Sequence, residues 1–279
     1  MEDYRNLSID ELLRRSKIPL EVLDTDDDIY YDMVRVMVEE IVKNNKAGKN
    51  TVFIVPVGPV FQYRRFARLA NMWQLDCSNV YIFNMDEYLT DDKQWIPEDD
   101  PLSFRGFMKR ELYDKLEGAA YIPEDHRFFP EPGNEDFIWN KIQELGGVDV
   151  ALGGIGIKGH IAFNEALDPE VEMSNEEFRS LPTRILALTK ETRTINSVTG
   201  LGGYIDAVPH YCITIGMKEI LSARKIRFYM NREWQRGIVR KICLDEVSGH
   251  APATFFQEHP DAKLCIASYV TPSPSGIIR

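Results

Sequence analysis

Short apolar runs, most of them rich in β-branched residues, recur along this chain, and helical patterns lie between several of them. The predicted strands span residues 51–57, 79–83, 148–152, 184–188, 211–215, 226–230 and 264–267. Strands that alternate with helices are typical of a mainly parallel sheet covered on both faces. Because the chain has no internal repeat and no low-complexity linker, we predict a single α/β domain with an open, doubly wound, Rossmann-like sheet.

The clearest helical spacing lies between residues 28 and 45, where a stripe of Met, Val and Ile recurs at helical intervals. We interpret this stripe as core. Further helices are predicted at about 61–73, 101–113, 217–223 and 234–247, with one more ending at 146–147. Residues 1–16 are polar and only weakly periodic, so we predict an N-terminal extension there and a domain that spans residues 17–279.

The composition excludes several classes of protein. The net charge of −11 gives no basic surplus with which to neutralise the phosphates of a nucleic acid. No run of 18 apolar residues occurs, and the N-terminus is acidic and polar, which argues against a membrane span and a signal peptide. The four cysteines are far apart in the sequence. We therefore expect a cytoplasmic protein with reduced, buried thiols.

Candidate chemical groups follow two of the predicted strands. The apolar run 148–152 is followed by Gly153, Gly154, Gly156 and Gly159, then by His160 and, five residues later, Glu165; Asp86 and Glu87 follow the run 79–83. The carboxyl ends of parallel strands share one edge of the sheet, so these groups are expected to meet in one crevice. A carboxylate base beside an imidazole suits proton transfer next to a carbonyl. The alternative is that the carboxylates are solvated turn residues and that His160 is a capping side chain.

Two other interpretations of the glycine-rich stretch are weak. Residues 154–159 match the dinucleotide fingerprint G-x-G-x-x-G, but they follow a mid-chain strand and Pro169 interrupts the long helix that should come next. A metal site from His160 and Glu165 lacks the second histidine of a zinc helix. We expect neither a nicotinamide nor a metal ion.

Two longer segments, residues 83–88 (Phe-Asn-Met-Asp-Glu-Tyr) and 159–165 (Gly-His-Ile-Ala-Phe-Asn-Glu), resemble the glucosamine-6-phosphate deaminase/isomerase family. The resemblance extends from about Lys17 to the C-terminus and includes residues 189–193, 196–197 and 252–260. It implies an α/β fold, a cytoplasmic amino-sugar phosphate pathway and, in many members, a homo-oligomer. It implies no metal or organic cofactor.

The resemblance also implies roles for individual residues. Asp86 would be the base that moves a proton between C2 and C1 of the sugar. His160 would open the sugar ring by serving its ring oxygen, and Glu165 would hold the imidazole. The expected contacts to the sugar or sugar phosphate are Glu87, Gly58, Gly154, Gly156, Lys158, Arg193 and Arg236.

The chain departs from the family pattern beside the histidine. Lys158 occupies a position where family members usually have an aspartate. An ammonium disfavours the imidazolium form of His160 by like-charge repulsion, so a lysine pointing into the site would weaken ring opening. Alternatively, Lys158 swings towards solvent and has little effect.

The expected phosphate-binding residues have changed as well. The family places a Thr-Gly-Gly-Thr-like loop after its first strand, whereas this chain has Val57-Gly58-Pro59-Val60, in which valine has no hydroxyl and proline no N–H. Val198 replaces an expected arginine, and Arg236 aligns with an expected lysine. Four arginines could rebuild an anion site: Arg64, Arg65, Arg193 and Arg232.

Three functions are compatible with these residues. The first is an isomerase or deaminase of amino-sugar phosphates, favoured because Asp86, His160 and Glu165 are all retained. The second is a sugar-binding or regulatory protein on the same fold, favoured by Lys158 and by the altered phosphate loop. The third is a lactonase for a sugar-acid phosphate, and the ending Ala162-Phe163-Asn164-Glu165 counts against it. We favour the first.

Overall fold

The computed structural model describes residue 4 and residues 7–274. A seven-stranded parallel sheet forms its centre, with the strand order β1-β10-β9-β6-β2-β3-β5. These strands are β1 (Leu20–Leu23), β2 (Thr51–Val55), β3 (Val80–Asn84), β5 (Arg127–Phe128), β6 (Val150–Gly154), β9 (Lys225–Met230) and β10 (Ala262–Ala267). The predicted mainly parallel α/β sheet in a single domain is confirmed.

Helices connect these strands. They are α1 (Ile9–Arg15), α2 (Asp26–Lys46), α3 (Gln62–Trp73), α4 (Phe104–Glu111), α5 (Asp136–Glu144), α6 (Asn175–Arg179), α7 (Lys190–Gly200), α8 (Met217–Leu221) and α9 (Arg236–Leu244). The predicted core stripe of α2 is confirmed: Ile29, Met33, Met37 and Ile41 are buried in the main hydrophobic cluster. Sequence reasoning did not identify α1, α6 or α7.

A second sheet is antiparallel and has three strands in the order β4-β8-β7. They are β4 (Asp86–Leu89), β7 (Arg184–Ala187) and β8 (Tyr211–Thr214). The runs 184–188 and 211–215 were therefore correctly predicted as strands, but they lie outside the parallel sheet. Only Met85 separates β3 from β4, and one residue cannot form the crossover that a parallel neighbour needs.

Met85 joins the two sheets. Its N–H donates to the carbonyl of Val55 in the parallel sheet (3.0 Å), and its carbonyl accepts the N–H of Ile215, directly after β8 (2.7 Å). The chain thus leaves one sheet and enters the other within a single residue. Because the chain changes sheets at Met85, the next residue, Asp86, lies at the boundary between the two sheets.

Two predicted boundaries need correction. The run 51–57 forms a strand only as far as Val55, because Pro56 has no N–H to donate to a ladder. The predicted helix from Pro101 begins at Phe104, where Ser103 caps it by accepting the N–H of Gly106 (3.1 Å). Over the described residues, no helix is long and apolar enough to cross a membrane. The four cysteines are buried and free, as predicted.

The first helix packs onto α9, near the end of the chain. Leu12 of α1 is fully buried in the main core, whereas Leu13 is 40% exposed. The guanidinium of Arg240 on α9 donates to the carbonyl of Leu7 (3.3 Å), and the N–H of Lys17 donates to the carbonyl of Cys243 (2.9 Å). The division of the chain at residues 16 and 17 stays a prediction, and these contacts make it testable.

Glu87 forms a buried cap for α4. Its Oε2 accepts the hydroxyl of Ser103 (2.9 Å) and the N–H of Arg105 (2.9 Å), and its Oε1 accepts the N–H groups of Phe104 (3.0 Å) and Tyr88 (2.8 Å). The side chain of Arg105 pairs with the same carboxylate at 3.2 Å. A carboxylate at a helix N-terminus satisfies N–H groups that the helix leaves unpaired and complements its dipole.

We expect Leu12→Ala to lower the free energy of unfolding by about 2–5 kcal/mol, because it removes buried methyl groups and leaves a cavity. Leu13→Ala, one position along the same helix, should have little effect because Leu13 is 40% exposed. Urea unfolding followed by circular dichroism measures both variants. Equal, small effects would show that residues 1–16 are an appendage whose packing adds no stability.

We expect Glu87→Gln to lower the free energy of unfolding by about 2 kcal/mol or more, since an amide nitrogen would replace an acceptor that faces several donors. Glu177→Gln is the matched control, because Glu177 also accepts a helix N-terminal N–H but lies on the surface, and it should change stability little. Thermal unfolding of the two variants would contradict the assignment if Glu87→Gln were as stable as the parent chain.

Candidate active site

A tight turn after β6 brings His160 back against the strand end. The N–H of Gly156 donates to the carbonyl of His160, and the N–H of Gly159 donates to the carbonyl of Gly156, both at 2.9 Å. Gly159 has a φ of +83°, which favours glycine. A Cβ on Gly156 would lie only 1.8 Å from Nε2 of His160. The imidazole therefore occupies space that any other residue at position 156 would fill.

The segment after His160 is fixed to β8. The N–H of Phe163 donates to Oγ1 of Thr214 (3.1 Å). The side-chain amide of Asn164 donates to the carbonyls of Ile161 (3.0 Å) and Ile215 (2.8 Å) and accepts from Arg184 (2.7 Å). The loop that carries His160 and Glu165 is thereby held at the end of β8.

Asp86 is attached to the same strand. It is the first residue of β4 and is paired in register with Thr214 of β8. Asp86 and His160 are both buried but keep 8% exposure. Burial raises the pKa of the Cys212 thiol well above its usual value, and the charges of Asp86 and Glu165 raise it further, so both carboxylates lie near this one buried group.

The imidazole of His160 contacts two groups through Nδ1. Oε2 of Glu165 and Oγ1 of Thr192 each lie 3.4 Å from it. This arrangement leaves Nε2 as the nitrogen available to a ligand. Burial lowers the pKa of His160, the Glu165 carboxylate opposes that effect, and the Lys158 ammonium adds to it.

Burial is also the main cause of the shifted pKa of Asp86. It raises the pKa of Asp86 well above the usual range, and the negative charge of Glu87 acts in the same direction. Over the part of the chain that the structure describes, no side chain forms an ion pair with Asp86, in contrast to Glu87, which is surrounded by donors. A buried carboxyl with a raised pKa is a stronger base once it has lost its proton.

Lys158 reaches towards two surface carboxylates. Its Nζ lies 3.5 Å from Oδ1 of Asp168 and 3.7 Å from Oε1 of Glu191, and its side chain is 28% exposed. The geometry is therefore closer to the second expectation for this lysine, in which it turns outwards. Its charge still disfavours the imidazolium form of His160.

Several other predicted contact residues lie outside this group. Glu87 is fully buried in its capping role. The guanidinium of Arg193 donates to the carbonyls of Val208 (3.1 Å) and Ile205 (3.2 Å). Arg236 donates to the carbonyl of Tyr269 (2.9 Å) and pairs with Glu233 (3.3 Å).

The two glycines near the end of β2 and β6 are neighbours. A Cβ added to Gly154 would lie 3.4 Å from the carbonyl oxygen of Gly58, so the backbones approach closely there. Nearby on α3, Arg64 pairs with Glu111 and Arg65 pairs with Asp27. These two guanidiniums already have carboxylate partners.

Sequence reasoning missed Thr189 and Thr192, which contact Glu165. The N–H of Thr189 donates to Oε1 of Glu165 (3.1 Å), and the hydroxyl of Thr192 donates to Oε2 (2.9 Å). Thr189 is the N-cap of α7. A threonine followed by a run without glycine or proline is a recognisable helix start, and it could have identified the element.

The described residues contain no group of three or more His, Cys, Asp or Glu side chains placed to hold a metal ion. A cavity of about 750 Å³ lies elsewhere, along β1, α2 and α3. It is lined by residues that include Leu23, Tyr31, Val38 and Trp73, and by none of the predicted site residues. Asp86 and His160 are the stronger candidates for chemistry, because both are buried groups whose pKa values are shifted.

Relatives with this sequence pattern are known, although no family model matches the chain. A glucosamine-6-phosphate deaminase of Shouchella clausii (strain KSM-K16) is 31% identical over 190 residues, which cover 66% of this chain and 69% of the relative. A glucosamine-6-phosphate deaminase of Clostridium perfringens (strain SM101 / Type A) is 29% identical over 245 residues, which cover 85% of this chain and 93% of the relative.

Solved structures agree on the fold. A monomeric glucosamine-6-phosphate deaminase superposes with a TM-score of 0.75 at 24% identity, covering 91% of this chain and 98% of that chain. A 6-phosphogluconolactonase from Thermotoga maritima superposes with a TM-score of 0.62 at 13% identity, covering 89% and 98%. Taken with the sequence relatives, these likenesses lead to one conclusion: the chain belongs to the glucosamine-6-phosphate deaminase family.

Proposed function

We propose that this protein is an enzyme that isomerises an amino-sugar phosphate of the glucosamine-6-phosphate or galactosamine-6-phosphate type and releases ammonia. The observation that carries the proposal is the shared attachment to β8: Asp86 pairs with it on one side, and the loop with His160 and Glu165 is bound to its end. Proton transfer beside a carbonyl requires a base and an imidazole that can reach the same substrate, and these two attachments support that arrangement.

The steps can be assigned to side chains. The closed sugar opens when Nε2 of the neutral imidazole of His160 removes the proton from O1, the C1–O5 bond breaks as the C1 carbonyl forms, and the same proton passes from Nε2 to O5. Asp86 then removes the proton from C2 and returns it to C1, while a proton passes from the C2 nitrogen to O1, so that the aldehyde at C1 becomes an alcohol and the amine at C2 becomes an imine. Water then adds to the imine carbon, the C2–N bond breaks with release of ammonia, and the oxygen of the water becomes the ketose oxygen at C2. Glu165 orients the imidazole throughout.

A second candidate function is a sugar-binding or regulatory protein on this fold. The arginines offer specific support for it, because Arg193 and Arg236 bind carbonyls of the chain while Arg64 and Arg65 bind carboxylates. The loop of Val57 to Val60 also lacks hydroxyls. The lactonase alternative has only the shared fold in its favour.

Turnover separates the two candidates. The purified chain should be incubated with glucosamine-6-phosphate, galactosamine-6-phosphate and the unphosphorylated sugars, with release of ammonia and formation of ketose measured in parallel. Turnover of a phosphorylated amino sugar is the expected result. Saturable binding measured by calorimetry, without ammonia or ketose from any of these sugars, would favour the sugar-binding protein instead.

We expect Asp86→Asn to reduce kcat by about 10²–10⁴-fold, the range for loss of a general base. In the parent enzyme, the acid limb of the pH profile should lie above the ordinary aspartate pKa, because burial raises the pKa of Asp86. Asp125→Asn, at an exposed position, is the control. Unchanged kcat in Asp86→Asn would remove this residue from the mechanism.

The same substitution should increase stability at neutral pH. The pKa of Asp86 is higher in the folded chain than in the unfolded chain, so the folded state binds the proton more tightly and loses stability as pH rises between the two values. Asparagine has no charge to bury. Thermal unfolding should therefore show a gain for Asp86→Asn at neutral pH and little difference below the ordinary aspartate pKa, and an equal difference at both would contradict this account.

A further inference from the structure

The first turn of α7 holds both oxygens of Glu165. Oε1 accepts the backbone N–H of Thr189 (3.1 Å), and Oε2 accepts the hydroxyl of Thr192 (2.9 Å). Thr192 is 1% exposed, so water does not compete for this hydroxyl. The carboxylate is thus fixed from two directions by a helix that also offers it a favourable dipole.

The hydrogen bonds within this turn determine where the Thr192 proton points. The hydroxyl of Thr189 donates to Oγ1 of Thr192 (3.2 Å), and the backbone N–H of Thr192 donates back to Oγ1 of Thr189 (3.3 Å). Because Oγ1 of Thr192 accepts from Thr189, its own proton is free to go to Glu165. A series of hydrogen bonds therefore runs from the Thr189 hydroxyl through the Thr192 hydroxyl to the Glu165 carboxylate.

Nδ1 of His160 faces the last two members of this series of hydrogen bonds, Thr192 and Glu165. It lies 3.4 Å from Oε2 of Glu165 and 3.4 Å from Oγ1 of Thr192, both of which have lone pairs to offer. A proton on Nδ1 can be shared between these two acceptors, and the lone pair of the neutral ring then lies on Nε2. The other charges close to the ring are Lys158 and, through its pairing with Lys158, Glu191 on α7.

We propose that Thr192 is a positioning residue: its hydroxyl holds Glu165 in the orientation that keeps the proton of His160 on Nδ1 and leaves Nε2 free for the substrate. In metal sites, removing a side chain that orients a ligand through a hydrogen bond lowers metal affinity or activity by about 10–100-fold. The catalytic consequence rests on the proposed function, but the state of the imidazole can be measured without any substrate.

The test compares Thr192→Val, which keeps the shape and loses the hydroxyl, with Thr192→Ser, which keeps the hydroxyl. Thr194→Val is the matched control on the same helix, because Thr194 is exposed and its hydroxyl donates to the backbone carbonyl of Lys190 (2.7 Å). Chains labelled with ¹⁵N-histidine report the tautomer and pKa of each imidazole, and His160→Gln identifies the resonance of His160. Thr192→Ala replaces Thr192→Val if the latter unfolds.

We expect Thr192→Val to shift the His160 resonances towards a mixture of tautomers and to lower kcat about tenfold or more with a smaller change in KM. Thr192→Ser and Thr194→Val should both resemble the parent chain. A folded Thr192→Val with parental histidine resonances would overturn the proposal whatever its activity. Shifted resonances in a protein that turns over none of the sugars would leave the positioning role in place and refute the proposed function instead.

Discussion

The antiparallel pairing of β4 with β8 is the constraint on which the rest of the site depends. It places Asp86 opposite Thr214, and the same threonine receives the N–H of Phe163 from the loop that carries His160 and Glu165. The two candidate groups, Asp86 and His160, are 74 positions apart in the sequence. Both of their segments are attached to the same strand, β4 by its backbone ladder and the loop by hydrogen bonds to the Thr214 hydroxyl and the Ile215 carbonyl.

Asp86 and Glu87 are adjacent on β4, but their carboxylates have different surroundings. Successive side chains on a strand point to opposite faces, so Asp86 and Glu87 enter different environments. Glu87 is surrounded by donors from α4 and supports the fold. Asp86 is nearly as buried, and burial raises its pKa. The residue that costs stability is the one suited to accept a proton, which is a common relation between function and stability.

The helix α7 also contacts two groups close to the imidazole of His160. Its first turn binds Glu165, which faces His160, and its Glu191 lies near Lys158. Lys158 is thus drawn towards Asp168 and Glu191. Its ammonium lowers the pKa of His160, but the larger effect of the Glu165 carboxylate raises it, so burial is the main cause of the lowered pKa.

Much of this could be derived from the sequence. The apolar runs predicted most strands, the Met and Val stripe predicted α2, and the two segments 83–88 and 159–165 indicated the family. Local patterns contain this information because a strand or helix must bury one face whatever its neighbours are. Local patterns do not identify the pairing partners of a strand, since a run such as 211–215 has the same composition in a parallel or an antiparallel sheet.

The sequence by itself determined the α/β class, the family and the identity of the candidate groups Asp86, His160 and Glu165. Only the tertiary structure decided that β4, β7 and β8 form a separate sheet, that Glu87 and Arg193 are engaged by the chain itself, and that Thr192 contacts the catalytic pair. The physical reason is that a side chain's role depends on which donors, acceptors and charges lie within a few ångströms, and those neighbours come from distant parts of the chain.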